Sequence, residues 1–402
     1  MALRILWLQV RRCSSRSLIP SVQTNSAGSV LHVKWPDREE SRFHAAWLRI
    51  NCQSPNSQHI NNEQKFIAPH TLPRTISIEN AWIKEKLFVS WRHEPNHLSE
   101  FRLDWLQNNC YSSRMKPIAR GKPVYDRYCT SETEIPSYSY TDVSRKFDVM
   151  TSWIKDLYEI GITVIKNAPI SAGNNKPAVQ KVAELIGPIM VTSYGKIFYV
   201  RSEEKAINLA YTSVELDLHM DFPYFITPPG VQLLHCIECS DRVVGGEQMF
   251  LDTLLAAEDY RKTFPHYFAI LASTKATFQK IHYDREFPMH RVYQRTHFKL
   301  NDLDQLVEVF WSPAFEGPLR ISEELVEPYY EAYFHFSRFL HEHPAKIKRK
   351  IELGDVVVFN NVRILHGRTQ FELNGGSRHL QGAYISQDEF FSRYNYLVNR
   401  VD

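Results

Sequence analysis

The second half of the chain contains a succession of short apolar runs that are rich in β-branched and aromatic residues and bounded by glycine or proline. Such runs are typical of β-strands, because branched and aromatic side chains pack well on a pleated sheet. Many strands in succession predict a barrel or a sandwich. The runs are GVQLLHCIEC (230–239), GGEQMFLDT (245–253), LVEVFWSP (306–313), GDVVVFNNVRILHG (354–367) and HLQGAYIS (379–386).

Helices precede these strands. FDVMTSWIKDLYEIG (147–161) has apolar residues at helical spacing and ends in glycine, and ITVIKNAP (162–169) then predicts a strand. A second helix is predicted at 177–187, and a helical insertion at 322–345. Because helices come first and strands follow, we predict an α+β domain built on a β-barrel or a jelly roll, with flanking helices.

A smaller β-rich domain is predicted before the jelly roll. FHAAWLRINC (43–52) and FRLDWLQNNC (101–110) carry Phe, Trp, Leu, Asn and Cys at the same relative positions. Two copies do not make a solenoid, so we predict two short helices, each anchored by an aromatic pair. The predicted bounds are 29–118 for the small domain, 119–142 for a linker and 143–402 for the jelly-roll domain.

The N-terminus predicts a mitochondrial transit peptide over residues 1–28. The first 36 residues contain no Asp or Glu but several arginines, and their apolar residues have helical spacing. The alternative is a disordered basic tail on a cytoplasmic protein.

Composition excludes several classes of protein. The formal net charge of +3 is spread thinly, without a basic stripe, so we expect no nucleic-acid partner. No apolar run approaches the roughly 18 residues that cross a bilayer, so we expect no membrane span. The 6 cysteines are few and scattered, which predicts free thiols in a reducing compartment.

Three side chains predict a metal site. His219 and Asp221 are two positions apart before a strand, so they would share one face of an extended segment. His366 would complete two histidines and a carboxylate, the set that binds non-haem Fe(II), if its strand lies beside theirs. A second pair, His282 and Asp284, lacks the turn that follows the first. The alternative is that His219 and His366 are ordinary, partly buried histidines.

Four motifs in order carry a resemblance: HMDFPYFITPPGVQLLHC, VVGGEQMFLDT, ILHGR and SRHLQGAY. They resemble the γ-butyrobetaine hydroxylase and trimethyllysine dioxygenase family of iron and 2-oxoglutarate dioxygenases, which is related to taurine dioxygenase. The segments WPDRE and WLRINC resemble the small domain of the same family. The resemblance implies that the larger domain is a double-stranded β-helix (jelly roll). The resemblance implies that His219, Asp221 and His366 bind Fe(II), and that Arg378 binds the distal carboxylate of 2-oxoglutarate. It also implies ascorbate as a reductant and dioxygen as co-substrate.

The resemblance further implies hydroxylation of γ-butyrobetaine to L-carnitine, with succinate and carbon dioxide as by-products. A trimethylammonium group is best held over aromatic faces. The positions that match the family's aromatic cage are Tyr194, Phe198, Tyr211 and Tyr384, and Asn208 matches a contact to the substrate carboxylate. The relatives suggest a homodimer.

The sequence departs from the family in three places. Where the small domain usually holds zinc, this chain has Cys52, Ser54, Ser57 and His97, and hydroxyls are poor zinc ligands, so we expect no tightly bound zinc. His59 is a candidate replacement ligand. Phe198 stands in place of a tryptophan, and VFWSPAFEGPL (309–319) replaces a stretch that carries an asparagine.

Three alternatives to γ-butyrobetaine hydroxylation stay open. Trimethyllysine dioxygenase is favoured by the mitochondrial leader, whereas TPPGVQLLHCI favours γ-butyrobetaine. Another small-molecule substrate is the second alternative. A binding or scaffold protein with an inert metal site is the third, although scaffolding requires none of the predicted ligands.

Overall fold

The computed structural model describes residues 19–36, 40–112, 125, 127–171, 176–201, 213–284 and 286–399. The chain divides into two compact units, the first ending at Arg120 and the second beginning at Gly121. Most of the predicted leader, residues 1–18, lies outside the described residues. None of the described helices has the length and apolar character that a membrane crossing requires.

The first unit is β-rich and contains two short helices. Its two three-stranded antiparallel sheets follow the orders β1-β2-β3 and β4-β5-β6. The helices meet through Trp47 and Trp105, whose ring centroids are 5.5 Å apart. The described elements are β1 (Ser21–Thr24), β2 (Val30–Lys34), β3 (Ser41–His44), α1 (Ala45–Ile50), β4 (Ile78–Ile83), β5 (Leu87–Trp91), β6 (Glu94–Phe101) and α2 (Leu103–Asn108).

Strand β1 corrects the predicted start of this unit. It lies inside the segment 1–28, which was predicted as a leader, and pairs along its whole length with β2. A lack of acidic residues does not distinguish a leader from the first strand of a hairpin. The predicted start of the small domain at residue 29 is therefore too late in the chain.

The second unit contains the strands of the predicted jelly roll and the helices around them. Its helices are α3 (Tyr140–Arg145), α4 (Phe147–Ile160), α5 (Ala178–Ile186), α6 (Thr253–Thr263), α7 (Pro265–Ser273), α8 (Val326–Glu342) and α9 (Gln387–Asn399). Its strands are β7 (Ser137–Ser139), β8 (Ile162–Lys166), β9 (Phe198–Arg201), β10 (Leu216–His219), β11 (Val231–Cys239), β12 (Val244–Gly245), β13 (Gln248–Asp252), β14 (Lys275–His282), β15 (Met289–Thr296), β16 (Phe298–Leu300), β17 (Leu306–Val309), β18 (Ile347–Arg349), β19 (Val356–Asn360), β20 (Ile364–Arg368), β21 (Phe371–Glu372) and β22 (Arg378–Ile385).

Two larger sheets form the jelly roll. A six-stranded sheet has the order β7-β8-β19-β11-β22-β9, and a four-stranded sheet has the order β10-β20-β13-β18. The sheets face each other, because Phe359 of β19 contacts both Phe250 of β13 (5.5 Å between ring centroids) and His366 of β20 (4.9 Å). The α+β jelly roll that the sequence predicts is confirmed.

Strand periodicity explains why the six-stranded sheet is buried on both faces. In β19, Val357 and Phe359 belong to the core between the sheets, whereas Val356 and Val358 belong to a second core on the other face. Successive side chains on a strand point to opposite faces. Helices α4, α5 and α9 contribute to that second core. Because helices pack on the outer face of this sheet, the side chains of β19 from Val356 to Phe359 are apolar on both faces.

The structure also corrects the predicted linker 119–142. Strand β7 and the start of α3 lie within it, and β7 pairs in parallel with β8 at the edge of the six-stranded sheet. A run rich in serine and tyrosine has little apolar periodicity, so the sequence did not reveal that it adds an edge strand. Of the helices, α3, α6, α7 and α9 were not predicted from the sequence.

Candidate active site

The two predicted histidines lie directly opposite each other on neighbouring strands. His219 ends β10 and pairs in register with His366 of β20, and their ring centroids are 4.3 Å apart. The strands approach closely because position 367 is glycine, where a Cβ would come within 2.7 Å of the Leu216 carbonyl oxygen. The metal-site prediction required the strand of His366 to lie beside that of His219, and in the structure these two strands are paired.

Asp221 lies just beyond the end of β10 and completes the group. Its Oδ1 is 3.6 Å from His219 Nε2, and its Oδ2 is 3.8 Å from His366 Nε2. One ligand atom from each of the three residues lies within 4.8 Å of the others. The two histidine rings are buried, and only a fifth of the Asp221 side chain is exposed.

Hydrogen bonds fix the orientation of these groups. His219 Nδ1 lies 2.8 Å from the Asp217 carbonyl oxygen, so Nδ1 carries a proton and Nε2 is the nitrogen that can bind a metal ion. Asn361 holds the turn: the backbone N–H of Asp221 donates to Asn361 Oδ1, and Asn361 Nδ2 donates to the carbonyl oxygens of Asp221 and Pro229. Nothing in the sequence indicates this role of Asn361 beyond its place in the turn between β19 and β20.

The charges of the three groups suit a cation. Burial alone would raise the pKa of Asp221, but its hydrogen bond to His219 and the nearby charges lower it below its ordinary value. Burial, together with the neighbouring His219, lowers the pKa of His366 to about 3. Burial would also lower the pKa of His219, yet hydrogen bonding and attraction to Asp221 raise it. An ionised carboxylate therefore lies beside one neutral imidazole and one that is stabilised in its positive form, and a metal ion would take the place of that positive charge.

These residues fit a divalent metal ion. Two imidazole nitrogens and one carboxylate oxygen converge from one side, which is the ligand set of non-haem Fe(II) and leaves other positions open. Among the described residues, His219, Asp221 and His366 converge in this way, whereas the second pair, His282 and Asp284, belongs to no such group of three.

Tyr384 of β22 contacts the metal group directly. Its hydroxyl donates a hydrogen bond to Asp221 Oδ2, at 2.6 Å. Burial and the charge of Asp221 raise the pKa of Tyr384 well above its ordinary value, so the hydroxyl keeps its proton. Sequence comparison suggested only an aromatic role for this residue, and the hydrogen bond is an additional one.

Aromatic rings surround the same point. Phe198 stacks on Tyr384 at 4.8 Å between centroids, and Phe222 meets Tyr384 edge-on at 5.1 Å. Tyr194 lies 6.0 Å from Phe222. A Cβ at position 382 would overlap the Phe198 ring, so the glycine makes room for this stack. The structure thus brings together three of the four predicted cage residues.

Phe222 is a member of this cluster that sequence reasoning missed. It follows Asp221 directly and has φ of 58°, a left-handed conformation that is strained for a bulky residue. This conformation turns the chain sharply after the carboxylate. The other two predicted substrate residues, Asn208 and Tyr211, lie outside the described residues.

Arg378 is buried at the start of β22 on the same strand face as Tyr384. Burial lowers its pKa from the ordinary value, and within the described part of the chain no carboxylate lies at ion-pair distance from it. Its guanidinium stacks over Phe371 at 5.5 Å. A buried cation without a partner is costly, so this position suits an anionic ligand.

The surroundings of Arg378 contain two cysteines of one strand. Cys236 and Cys239 line the same small pocket as Arg378, because the pairing of β11 with β22 shifts register between Cys236 and Glu238. On a regular strand, positions three apart would face opposite sides, and the bulge brings both to one side. Both are free thiols, as are the other described cysteines, Cys52, Cys110 and Cys129.

A second buried arginine near Arg378 was also missed. Arg368 follows His366 by two positions and donates a 2.7 Å hydrogen bond to the Val214 carbonyl oxygen. Burial lowers its pKa to about 10, and the charge of Arg378 adds to the effect. The two arginines give this part of the jelly roll a positive character.

In the first unit, the residues at the family's zinc position converge but do not form a metal site. Cys52 Sγ is 3.1 Å from Ser54 Oγ, which donates to Ser57 Oγ at 3.3 Å. Ser57 Oγ is 3.5 Å from His97 Nε2. One thiol and one imidazole fall short of the four strong donors that a structural zinc requires, so these residues do not fit zinc. His59 contacts Phe66 instead of this group.

A jelly roll that presents two histidines and one carboxylate around a common point is the arrangement of non-haem Fe(II) oxygenases. Residues 127–384 match the Taurine catabolism dioxygenase TauD, TfdA family, and residues 22–106 match the Gamma-butyrobetaine hydroxylase-like, N-terminal family. Gamma-butyrobetaine dioxygenase of Homo sapiens is 30% identical over 390 residues, which are 96% of this chain and 98% of that protein. Trimethyllysine dioxygenase of Meyerozyma guilliermondii is 26% identical over 396 residues, which are 94% and 95% of the two chains.

Among solved structures, the non-heme iron oxygenase OrfP in complex with Fe and alpha-ketoglutaric acid aligns with a TM-score of 0.47 and 15% identity, over 63% of this chain and 95% of that chain. The sequence matches establish membership: the chain belongs to the family of taurine dioxygenase-related enzymes that contains γ-butyrobetaine dioxygenase and trimethyllysine dioxygenase. It is therefore a 2-oxoglutarate-dependent dioxygenase that uses Fe(II). The predicted class of enzyme and its cofactors are confirmed.

Proposed function

We propose that this enzyme hydroxylates γ-butyrobetaine to L-carnitine, converting 2-oxoglutarate to succinate and carbon dioxide, as a step of carnitine biosynthesis. The observation that carries the proposal is the aromatic cluster of Tyr194, Phe198, Phe222 and Tyr384 beside the metal group. A trimethylammonium group cannot donate a hydrogen bond, so aromatic faces are its best protein partners. Identity of 30% to γ-butyrobetaine dioxygenase supports the same substrate.

In this proposal, His219, Asp221 and His366 hold Fe(II), and Arg378 binds the distal carboxylate of 2-oxoglutarate. Bound Fe(II) supplies the activation of dioxygen and the oxidation of both the keto acid and the substrate. The chain supplies orientation. Arg378 offers a planar guanidinium that can pair with a carboxylate through two hydrogen bonds and so fixes the position of the keto acid.

The substrate would lie with its quaternary ammonium against the rings of Tyr194, Phe198 and Tyr384. Tyr211 and Asn208 are assigned to the substrate by resemblance, as a fourth ring and as a contact to the carboxylate. Phe198 offers a weaker cation-π partner than the tryptophan that it replaces. We therefore expect the substrate to bind more weakly than it would with tryptophan at this position.

Trimethyllysine is the second candidate substrate. It carries the same quaternary ammonium, and trimethyllysine dioxygenase of Meyerozyma guilliermondii matches nearly the whole chain. The segment 309–319, which replaces a stretch that carries an asparagine, is the part of the sequence that most weakens the assignment to γ-butyrobetaine.

Location and assembly complete the proposal. The acid-free N-terminus supports a mitochondrial protein, and several similar trimethyllysine dioxygenases carry that location in their names. A cytoplasmic location is the alternative. The proposed assembly is a homodimer, by resemblance alone.

A substrate comparison tests the proposal. Purified protein with Fe(II), ascorbate and 2-oxoglutarate is incubated in parallel with γ-butyrobetaine, trimethyllysine and 5,5-dimethylhexanoate, the isostere of γ-butyrobetaine in which an uncharged carbon replaces the quaternary nitrogen. Succinate release and the gain of one oxygen are followed by mass spectrometry. We expect the highest kcat/KM for γ-butyrobetaine and a large loss for the isostere, because the isostere has no positive charge to interact with the rings.

Two control measurements assign the result. Arg378→Met should raise the 2-oxoglutarate concentration needed for half-maximal rate while iron content stays near the wild-type value. Faster turnover of trimethyllysine would transfer the assignment to the second candidate. A wild-type enzyme that binds iron but oxidises neither trimethylammonium compound would reject both.

A further inference from the structure

A second cavity lies apart from the metal group. Its volume is about 350 Å³, and none of His219, Asp221, His366 or Arg378 lines it. Its walls come from the loop after Phe225, from β15, from the β16–β17 ribbon and from the start of α9. The apolar part of the lining consists of Ile226, Pro228, Tyr293, Phe310 and Phe391.

One of the charged residues that line this cavity is Arg295, which is 9% exposed. Its guanidinium is sandwiched between Tyr293, at 4.4 Å from the ring centroid, and Phe310, at 4.2 Å. Nη2 donates hydrogen bonds to the carbonyl oxygens of Phe225 and Ile226. Within the described part of the chain, Nε and Nη1 have no acceptor.

No acidic side chain compensates Arg295. Among the described residues no carboxylate lies at ion-pair distance from it, and burial lowers its pKa to about 10. The other cation of the lining, Lys299, is already paired with Glu308 at 3.1 Å. Of the two acids in the lining, Glu308 is paired with Lys299 and Asp388 makes no described ion pair with Arg295, so this buried arginine can still accept an anion from outside the chain.

The remaining charge of the lining limits what that anion can be. Asp388 stands in the first turn of α9 and is exposed at the rim. One carboxylate at the rim disfavours a ligand with two or more negative charges, whereas a single carboxylate can pair with Arg295 at a distance from Asp388. The aromatic and aliphatic walls favour an apolar body.

We propose that this cavity is a binding site for a small monocarboxylate with an apolar body, whose carboxylate pairs with Arg295 while its body packs against Tyr293, Phe310 and Phe391. Nη2 is committed to the two backbone carbonyls, whereas Nη1 donates to no described acceptor and is available to one carboxylate oxygen. The ring sandwich holds the guanidinium in place, so little side-chain entropy is lost on binding.

The test uses 4-fluorophenylacetate as the probe and 4-fluorophenylacetamide as its neutral control, both followed by fluorine NMR line broadening and titration. Saturating Zn(II), which is diamagnetic, and 2-oxoglutarate are present so that Arg378 is occupied. We expect the acid to bind at least about 10-fold more tightly than the amide, because hydrogen bonds to a charged group are stronger than neutral ones. Equal binding of acid and amide, or none, would overturn the proposal.

Three variants locate the probe. Arg295→Met should weaken binding of the acid about 10-fold or more and leave binding of the amide unchanged. Asp388→Asn, at an exposed position where folding is not at risk, should tighten binding of the acid by roughly 2-fold, since one rim repulsion is removed. Arg378→Met should have no effect on the probe. Binding that depends on Arg378 and ignores Asp388 would place the probe in the 2-oxoglutarate pocket and reject the site.

Discussion

The hydroxyl of Tyr384 links the aromatic cluster to the metal group. Its ring stacks on Phe198, and its oxygen donates to Asp221 Oδ2, the oxygen that faces His366. A carboxylate that accepts such a hydrogen bond has one oxygen committed and the other free to bind a metal ion. Residues that orient metal ligands in this way commonly contribute to affinity.

Tyr384→Phe isolates the hydrogen bond from the ring. The ring that is proposed to face the substrate stays, while Asp221 loses its donor, so we expect weaker metal binding by about 10-fold and a smaller change in KM for the trimethylammonium substrate. The measurement is the Fe(II) concentration that gives half-maximal succinate release. Tyr267→Phe, which removes an exposed hydroxyl that donates to Glu331, is the matched control. An unchanged metal requirement in Tyr384→Phe would show that the hydroxyl has no positioning role.

At the scale of elements, the segment after α1 and the strand β6 form a hydrogen-bonded group where the family usually has zinc. Beyond Cys52, Ser54, Ser57 and His97, the group continues to Ser99, whose oxygen accepts from Trp91 Nε1 at 3.0 Å. Burial raises the pKa of Cys52, but the neighbouring hydroxyls outweigh that effect and lower it. Hydrogen bonds among these side chains therefore connect the positions that bind zinc in the family.

Ser54→Cys together with Ser57→Cys should create a zinc site. The four side-chain atoms already lie 3.1 to 3.5 Å from their neighbours along the chain of contacts, near the spacing of about 3.8 Å between sulfurs on a tetrahedral zinc. We expect about one zinc per chain in the double variant by metal analysis, and a higher melting temperature that chelator abolishes. Ser54→Ala with Ser57→Ala is the control and should bind none. Stoichiometric zinc in the wild-type protein would contradict the account of hydroxyl replacement.

Elements whose apolar residues recur at a regular spacing were predictable from the sequence, and irregular elements were not. Helix α4 ends at Ile160 because Gly161 adopts a left-handed conformation, and the sequence showed both the apolar spacing and the glycine. The bulge in β11 had no such signal, since an extra residue in a strand depends on how β22 pairs with it. The edge strand β7 was missed because its stability comes from pairing with β8 and not from its own composition.

For the whole molecule, long-range geometry separates what the sequence can and cannot predict. His219 and His366 are far apart in the chain, and their meeting depends on strand order, which a recognised motif set implies but local pattern does not. Neither Phe222, with its left-handed backbone, nor Asn361, which holds the turn of Asp221, belongs to a periodic pattern. The cavity around Arg295 assembles four segments and had no sequence signal.

Buried charges also determine how the stability of the molecule responds to pH. Glu316 lies in the segment 309–319, and its Oε1 is buried without a hydrogen-bond partner. Burial raises its pKa from 4.5 to about 8, although a hydrogen bond from Tyr333 opposes the shift. Between these two values the folded protein keeps a proton that the unfolded chain has released. Stability therefore falls as pH rises from about 4.5 to about 8, and the loss from this group levels off above that range.

Glu316→Gln should remove this part of the pH dependence, because glutamine resembles the protonated carboxyl and does not ionise. Melting temperatures measured by calorimetry at pH 5 and pH 8.5 should differ less in the variant than in the wild type, by roughly 3 °C. The other titrating groups are common to both proteins, so their effects cancel in the comparison. Glu323→Gln, at an exposed position seven residues further along, should behave as the wild type does. If Glu316→Gln melts with the same pH slope as the wild type, the carboxylate of Glu316 is solvated or paired in the folded protein, and its burial does not contribute to the pH response.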